Sequence, residues 1–175
     1  RNAIDAALWD LQAKIDGEPV WQLAEVPEPI TTLTAQTIGL GTAEAMGMAA
    51  SELTAAPLIK VKLDAEAVVE RMRAVREAAP DSRLIADANE AWDIALLNDV
   101  APALANMGVE MIEQPLAADD DDALLGRDLA IPICADEACH TRADLDRLEI
   151  RYPMINVKLD KSGGLTEALA LVQEG

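Results

Sequence analysis

Short apolar runs that end in a charged residue recur along most of this chain. Five such runs end at Lys62, Asp87, Glu113, Asp136 and Lys158, which follow one another at intervals of 22 to 26 residues. A β-strand with its return helix takes about that length, so the spacing predicts repeated βα units. The runs are continuously apolar, as in a parallel sheet covered on both faces. We therefore expect the charged ends on one face, where active sites of parallel α/β folds form.

The pattern predicts six βα units after an initial helix over 3–16. A closed barrel needs eight strands and typically about 250 residues, so six units fit an incomplete barrel or an open doubly wound sheet. Charged residues at several successive strand ends favour the barrel, because a doubly wound sheet concentrates its site where the strand order reverses. The predicted strands are 37–41, 58–62, 83–87, 109–113, 131–135 and 153–159. The predicted helices are 43–55, 65–79 with Asp64 as N-cap, 93–106, 120–127, one from Thr141 with a Thr141/Asp144 capping box, and one from about 165.

Composition and charge narrow the classes of partner. With 175 residues and 51% apolar content the chain can bury a core as one domain. The net charge of −18 repels phosphate backbones and anionic membranes, so we expect neither nucleic acid nor a membrane as a partner. The only cysteines, Cys134 and Cys139, make no disulfide framework, which favours a reducing cytoplasm. The chain contains no run of 18 apolar residues, so the sequence predicts no membrane span.

Three of the charged strand ends are carboxylates: Asp87, Glu113 and Asp136. Carboxylates that converge repel one another unless a cation lies between them, and oxygen-only ligands select a hard divalent ion such as Mg²⁺ or Mn²⁺. The alternative is three unrelated acids in solvated loops. That alternative holds for any single acid in so acidic a chain, whereas three acids at matched positions favour the metal site.

Lysines flank the carboxylates. Lys60 and Lys62 lie two residues apart, so a strand places both on the same side of the sheet. Burial and a neighbouring ammonium would lower the pKa of such an amine toward the range of a usable base, while carboxylates oppose that shift. Solvated lysines at a wet strand end are the alternative. Lys158 at the far end of the series favours two opposed amines that remove a proton from one face of a carbon and return it to the other.

Other polar features carry less information. Asp119–Asp122 is a run of four acids and is interpreted as a solvated loop or helix start. Residues 161–164 are interpreted as a tight turn. His140 beside Cys139 suggests zinc only weakly, because no C-x-x-C pair accompanies it.

At these residues the chain resembles the enolase superfamily, and within it the dipeptide epimerases of the L-Ala-D/L-Glu type. The resemblance covers essentially the whole chain, and the motifs together are highly specific for the superfamily. They are less specific for the subgroup, because muconate cycloisomerases and o-succinylbenzoate synthases share them. The motifs are K-x-K (Lys60, Lys62), D-A-N (Asp87–Asn89), E-Q-P (Glu113–Pro115), A-D-E (Ala135–Glu137) and K-x-D (Lys158, Asp160).

The resemblance implies an α/β fold, a (β/α)₇β barrel of the TIM type behind an N-terminal capping domain. It implies one Mg²⁺ on Asp87, Glu113 and Asp136, with Lys62 and Lys158 as the catalytic acid/base pair. Residues 1–175 would be part of that barrel domain, about six βα units. The capping domain and the last barrel strands are expected outside this chain. Their absence would expose edges of the sheet, which a homo-oligomer could cover.

Residues near the substrate are implied by the same resemblance. Lys60 would lie beside the bound carboxylate, Thr37 near the substrate, and Asp160 among the substrate-binding residues. Glu137 would support the metal ligand that precedes it.

The implied reaction is a cytoplasmic, Mg²⁺-dependent epimerisation of a dipeptide, a small-molecule substrate. Two alternatives stay open. One is a cycloisomerase or o-succinylbenzoate synthase that uses the same metal and lysines. The other is an inactive barrel fragment that serves as a structural or partner-binding element.

Overall fold

Six parallel strands form one sheet whose spatial order, β1 to β6, is the order of the sequence. No strand order reverses, so the doubly wound alternative is wrong and the incomplete barrel is confirmed. The strands of this computed structural model, which describes residues 1–175, are β1 Gln36–Ile38, β2 Leu58–Lys62, β3 Arg83–Asp87, β4 Val109–Glu113, β5 Ile133–Ala135 and β6 Met154–Ile155.

Eight α-helices accompany the strands, and two short 3₁₀ turns lie at Asp122–Leu124 and Arg142–Asp144. None of the helices combines the length and the apolar composition that a bilayer crossing requires. The helices are α1 Asn2–Asp16, α2 Val20–Leu23, α3 Ala43–Glu52, α4 Val68–Ala78, α5 Ile94–Asn106, α6 Leu145–Leu148, α7 Leu159–Ser162 and α8 Leu165–Glu174.

The chain divides into two compact units. The whole sheet belongs to the second unit. The first unit comprises Arg1–Thr32, Cys139–Leu145 and Val157–Gly175, and the second comprises Leu33–Ala138 and Asp146–Asn156.

The core of the second unit follows the alternation of its strands. Ile59 and Val61 of β2 are fully buried, whereas Lys60 and Lys62 between and after them point to the opposite side. Met72 and Val75 of α4 are also fully buried, one turn apart on one face of that helix. The apolar side chains of β2 therefore face the helices, and Lys60 and Lys62 lie on the opposite, interior face of the sheet.

Three predicted elements differ clearly from the structure. Asp64 does not cap α4, which begins at Val68 after Ala67 in the left-handed conformation. Asp64 instead accepts hydrogen bonds from the Glu66 amide and the Arg71 guanidinium. The helix predicted over 120–127 is a single 3₁₀ turn, and the strand predicted over 153–159 is the two-residue β6.

The interpretation of Asp119–Asp122 as a solvated loop or helix start is confirmed for its three exposed acids, which lie before or at the start of a 3₁₀ turn, but it is wrong for Asp121. Asp121 is 3% exposed, and both of its carboxylate oxygens accept from Arg147 Nη1 at 2.9 Å. Arg151 contributes a second ion pair at 3.2 Å. A buried carboxylate needs such partners, and a run of four acids does not reveal which member has them.

In the first unit, α1 caps the beginning of α8 from a distance in sequence. Asp5 accepts from the Thr166 amide at 3.1 Å and from its hydroxyl at 2.7 Å, and these hydrogen bonds hold the pKa of Asp5 below its ordinary value. Trp9 Nε1 donates to the same hydroxyl at 2.9 Å. Gly164, in the left-handed region, leaves room for the Asp5 carboxylate. The Thr141/Asp144 capping box is confirmed.

Candidate metal and acid/base site

Asp87 and Glu113 are brought together by the register of the sheet. They are the last residues of β3 and β4, and they pair directly across the two strands. Lys62, the last residue of β2, pairs with Asp87 in the same way. The two carboxylates are almost fully buried, at 1% and 2% exposed. The predicted convergence of charged strand ends is therefore present in these three strands.

The ammonium of Lys60 bridges the two carboxylates. Its Nζ lies 2.8 Å from Asp87 Oδ2 and 2.7 Å from Glu113 Oε2. Lys62 Nζ donates to the same Asp87 oxygen at 2.7 Å, and to Asn89 Oδ1. Four charged side chains thus form one cluster in which Asp87 Oδ2 and Glu113 Oε2 each contact an ammonium.

Burial and mutual contact shift the pKa values of two of these groups, Glu113 and Lys60. Burial raises the pKa of Glu113, Lys60 opposes that shift by hydrogen bonding, and the charge of Asp87 adds to it, so the net direction is upward. Burial lowers the pKa of Lys60, but hydrogen bonds to Asp87 and Glu113 outweigh it, so the net direction is again upward. The two carboxylates thus favour the ammonium form of Lys60, while the lowering of a K-x-K amine expected beside a bound cation stays a prediction.

The donor atoms of this cluster fit a hard divalent cation. Two carboxylate oxygens already converge on one positive centre, the ammonium of Lys60, and carboxylate oxygens are the ligands that Mg²⁺ prefers. Asp136 follows β5 directly and is 2% exposed. No three carboxylate, imidazole or thiolate side chains are grouped closely enough to hold an ion in this arrangement. The third ligand position is thus a prediction supported by placement at the strand end.

Two asparagines take part that the sequence analysis did not assign to the site. Asn89 accepts from Lys62, donates to Glu137 Oε1 at 3.1 Å, and receives support from Asp87, whose Oδ1 accepts from the Asn89 amide at 3.0 Å. Asn89 has φ of 43°, a conformation that asparagine tolerates better than most residues. Asn156 Nδ2 donates to Glu113 Oε1 at 3.0 Å. Asn89 lies two residues after β3 and Asn156 lies directly after β6. These positions near strand ends were the signal in the sequence that could have assigned them to the site.

The remaining predicted residues lie in different settings. Thr37 is exposed on β1 and pairs in register with Lys60. Lys158 is half-buried and directly precedes α7, while Asp160 is exposed in the first turn of that helix. Lys158 and Asp160 belong to the first unit. The opposed placement of Lys62 and Lys158 and the substrate contacts of Thr37 and Asp160 stay predictions.

Fold and site together define a βα-barrel protein with carboxylates and lysines at the carboxyl ends of its strands. The chain belongs to the enolase C-terminal domain-like family, whose model matches residues 42–173.

Two named enzymes are similar in sequence to nearly the whole of this chain. The L-Ala-D/L-Glu epimerase of Escherichia coli strain K12 is 51% identical over 99% of this chain and 55% of its own length. The N-acetyl-D-glutamate racemase of a Pseudoalteromonas species is 45% identical over 99% of this chain and 55% of its own length. The chain therefore spans about half the length of the relatives it matches.

A solved structure has the same fold. It is a dipeptide epimerase from Enterococcus faecalis V583 complexed with Mg and the dipeptide L-Leu-L-Tyr. It superposes with a TM-score of 0.92 at 32% identity, over 99% of this chain and 51% of that chain. The fold of these 175 residues is thus that of roughly half of a dipeptide epimerase.

Proposed function

We propose that the protein carrying this chain is a Mg²⁺-dependent epimerase of dipeptides of the L-Ala-D/L-Glu type. The observation that carries the proposal is the cluster of Lys60, Lys62, Asp87 and Glu113 at adjacent strand ends. The identity of 51% to an L-Ala-D/L-Glu epimerase supports the choice of substrate. Two buried cysteines, Cys134 and Cys139, make no disulfide framework, which supports a cytoplasmic location.

Asp87, Glu113 and Asp136 would hold the Mg²⁺. When bound, the ion would polarise a substrate carboxylate and acidify the hydrogen on the adjacent carbon. Lys60, whose ammonium contacts two of these carboxylates, would lie beside the substrate carboxylate.

Lys62 is the better placed of the two K-x-K lysines to exchange protons with a substrate. Its side chain is 31% exposed, against 17% for Lys60, and it is tied to Asp87 and Asn89 rather than to two carboxylates. These contacts orient the amine while leaving it accessible. Lys158 would serve the opposite face of the substrate carbon, so that removal by one lysine and return by the other inverts the centre.

Stereospecific exchange with solvent tests the two-base proposal. In D₂O with Mg²⁺, Lys62→Ala and Lys158→Ala variants of the full-length gene product should each lose α-hydrogen exchange with one stereoisomer of L-Ala-Glu preferentially. Lys14→Ala, at an exposed lysine of α1, is the matched control and should keep exchange with both. Full epimerisation by both active-site variants would show that the two lysines are not the bases.

A second candidate substrate is N-acetylglutamate. The relative at 45% identity is named an N-acetyl-D-glutamate racemase, and a dipeptide ending in glutamate is likewise an N-acylated glutamate. Comparing kcat/KM for L-Ala-L-Glu and N-acetyl-L-glutamate decides between them. A preference for the dipeptide is expected, and a preference for the acetylated amino acid would assign the protein to the second activity.

A further inference from the structure

Gln114, the residue after Glu113, connects the end of β4 to the segment that carries Asp136. Its side chain is fully buried. Its Oε1 accepts from the Asp136 amide at 2.9 Å and from the Ala138 amide at 3.0 Å. The backbone on both sides of Glu137 is therefore fixed by one side-chain oxygen.

The other end of the Gln114 amide is equally constrained. Nε2 donates to the Leu116 carbonyl at 2.8 Å and to the Tyr152 hydroxyl at 3.0 Å. Both hydrogens of Nε2 are thus used, and the hydroxyl oxygen of Tyr152 must act as an acceptor toward Gln114. Burial raises the pKa of the Tyr152 hydroxyl, and the nearby charge of Asp121 adds to that shift.

Asp121 forms ion pairs with two arginines. Arg147 donates to both of its oxygens at 2.9 Å, and Arg151 lies 3.2 Å from one of them. Arg147 also donates from Nη2 to the Ala138 carbonyl at 3.1 Å. The segment after β5 is therefore held at the amide of Ala138 by Gln114 and at its carbonyl by Arg147.

Each step in this series has a fixed direction. Gln114 donates through Nε2 to Tyr152, and its Oε1 accepts from the backbone after β5. Burial raises the pKa of Tyr152, so the hydroxyl keeps its proton. Gln114 has φ of 34°, which side-chain-bearing residues rarely adopt, so a buried leucine in its place would keep the strain and lose every polar contact.

We infer that Tyr152 and Gln114, together with Asp121 acting through Arg147, form a relay of positioning residues. This relay orients the segment of Asp136 and thereby sets the affinity of the site for Mg²⁺. The inference rests on the proposed function for the identity of the metal. The geometry of the relay does not depend on the identity of the metal, because its hydrogen bonds are all made between residues of this chain.

Tyr152→Phe tests the relay with the loss of one oxygen. Ser82→Ala is the matched control, since Ser82 is also buried and its hydroxyl donates to the Ala56 carbonyl at 2.8 Å, before β3. In the full-length protein, calorimetry should show Mg²⁺ binding at least about tenfold weaker in Tyr152→Phe and unchanged in Ser82→Ala. Unchanged Mg²⁺ affinity in Tyr152→Phe would overturn the inference.

Amide hydrogen exchange in the metal-free protein gives a readout independent of Mg²⁺. The Asp136 and Ala138 amides should exchange about tenfold faster in Tyr152→Phe than in the unsubstituted protein or in Ser82→Ala. Unchanged exchange of both amides would overturn the relay. Faster exchange in a protein that binds no Mg²⁺ would support the relay and refute the proposed metal function instead.

The unsubstituted protein supplies a further test that needs no folded variant. Both side-chain amide protons of Gln114 should exchange with solvent far more slowly than those of the exposed Gln36. Equal exchange at the two glutamines would overturn the relay, because it would mean that the Gln114 amide is not held at both hydrogens.

Discussion

Lys60 is the residue whose removal most directly probes the charge balance of the site. In Lys60→Met the side chain keeps its length and loses the ammonium that contacts Asp87 and Glu113 at 2.8 and 2.7 Å. Asp87 keeps the ammonium of Lys62 at 2.7 Å, so the uncompensated charge falls mainly on Glu113, which is 2% exposed. Breaking a buried pair costs 3–5 kcal/mol, and the remaining lysine places the expected loss near the lower end, about 3 kcal/mol.

The assay is urea unfolding of the full-length protein at pH 8, in a chelator and in Mg²⁺. The chelated variant should be less stable than the unsubstituted protein by that amount. A ligand at 100 times its Kd adds about 2.7 kcal/mol to the stability of the folded state. Mg²⁺ should therefore restore more stability to Lys60→Met, where no ammonium competes for the carboxylates, than to the unsubstituted protein.

Lys14→Met is the control, because Lys14 forms an exposed pair with Asp10 on α1 and its loss should change neither measurement. The reasoning is refuted if chelated Lys60→Met is as stable as the unsubstituted protein. It is also refuted if Mg²⁺ stabilises the two proteins equally, since the carboxylates would then not be the cation site.

Three further predictions follow from the same contacts. Because the folded-state pKa of Glu113 is raised, its contribution to stability declines as pH rises from the unfolded value, about 4.3, through the folded value. In Glu113→Gln the metal-free free energy of unfolding, measured in urea, should therefore vary less with pH over that window. Asp136→Asn should bind Mg²⁺ more weakly by calorimetry while its far-ultraviolet circular dichroism stays unchanged. Met72→Ala, at a fully buried position of α4, should lose about 2–5 kcal/mol of stability by urea unfolding and leave Mg²⁺ affinity unchanged. Opposite results for any of the three would contradict the packing or charge described.

The fold was predictable where local signals agree with each other. The strands ending at Lys62, Asp87 and Glu113 were predicted with correct boundaries, because an apolar run followed by a charge marks both burial and the strand end. The capping box of Thr141 and Asp144 was predictable for the same reason, since two residue types at a fixed offset satisfy each other.

The predictions for Asp64 and Asp121 failed because of hydrogen-bond partners that the local sequence pattern does not reveal. Asp64 has the composition of an N-cap, yet its side chain is used by Arg71 and its carbonyl accepts from Trp92 Nε1 at 2.9 Å. Asp121 is indistinguishable from its acidic neighbours until the arginines of a later segment approach it. Propensity is overridden in both cases by tertiary hydrogen bonds.

The site was predictable in its residue types but not in its connections. The spacing predicted that Lys62, Asp87 and Glu113 would meet, and the register confirms it. It could not reveal that Lys60 would carry the charge between two carboxylates, nor that Asn89 would hold Lys62. These roles depend on side-chain directions within about an ångström, which a one-dimensional pattern does not encode.

Proton exchange of a dipeptide tests the proposed epimerase most directly. The full-length protein is incubated with L-Ala-L-Glu in D₂O, and the glutamate α-hydrogen and the appearance of L-Ala-D-Glu are followed by proton NMR. The proposal predicts loss of the α-hydrogen signal together with formation of the epimer in Mg²⁺, and neither in a chelator. Retention of both the signal and the configuration in the presence of Mg²⁺ would contradict it.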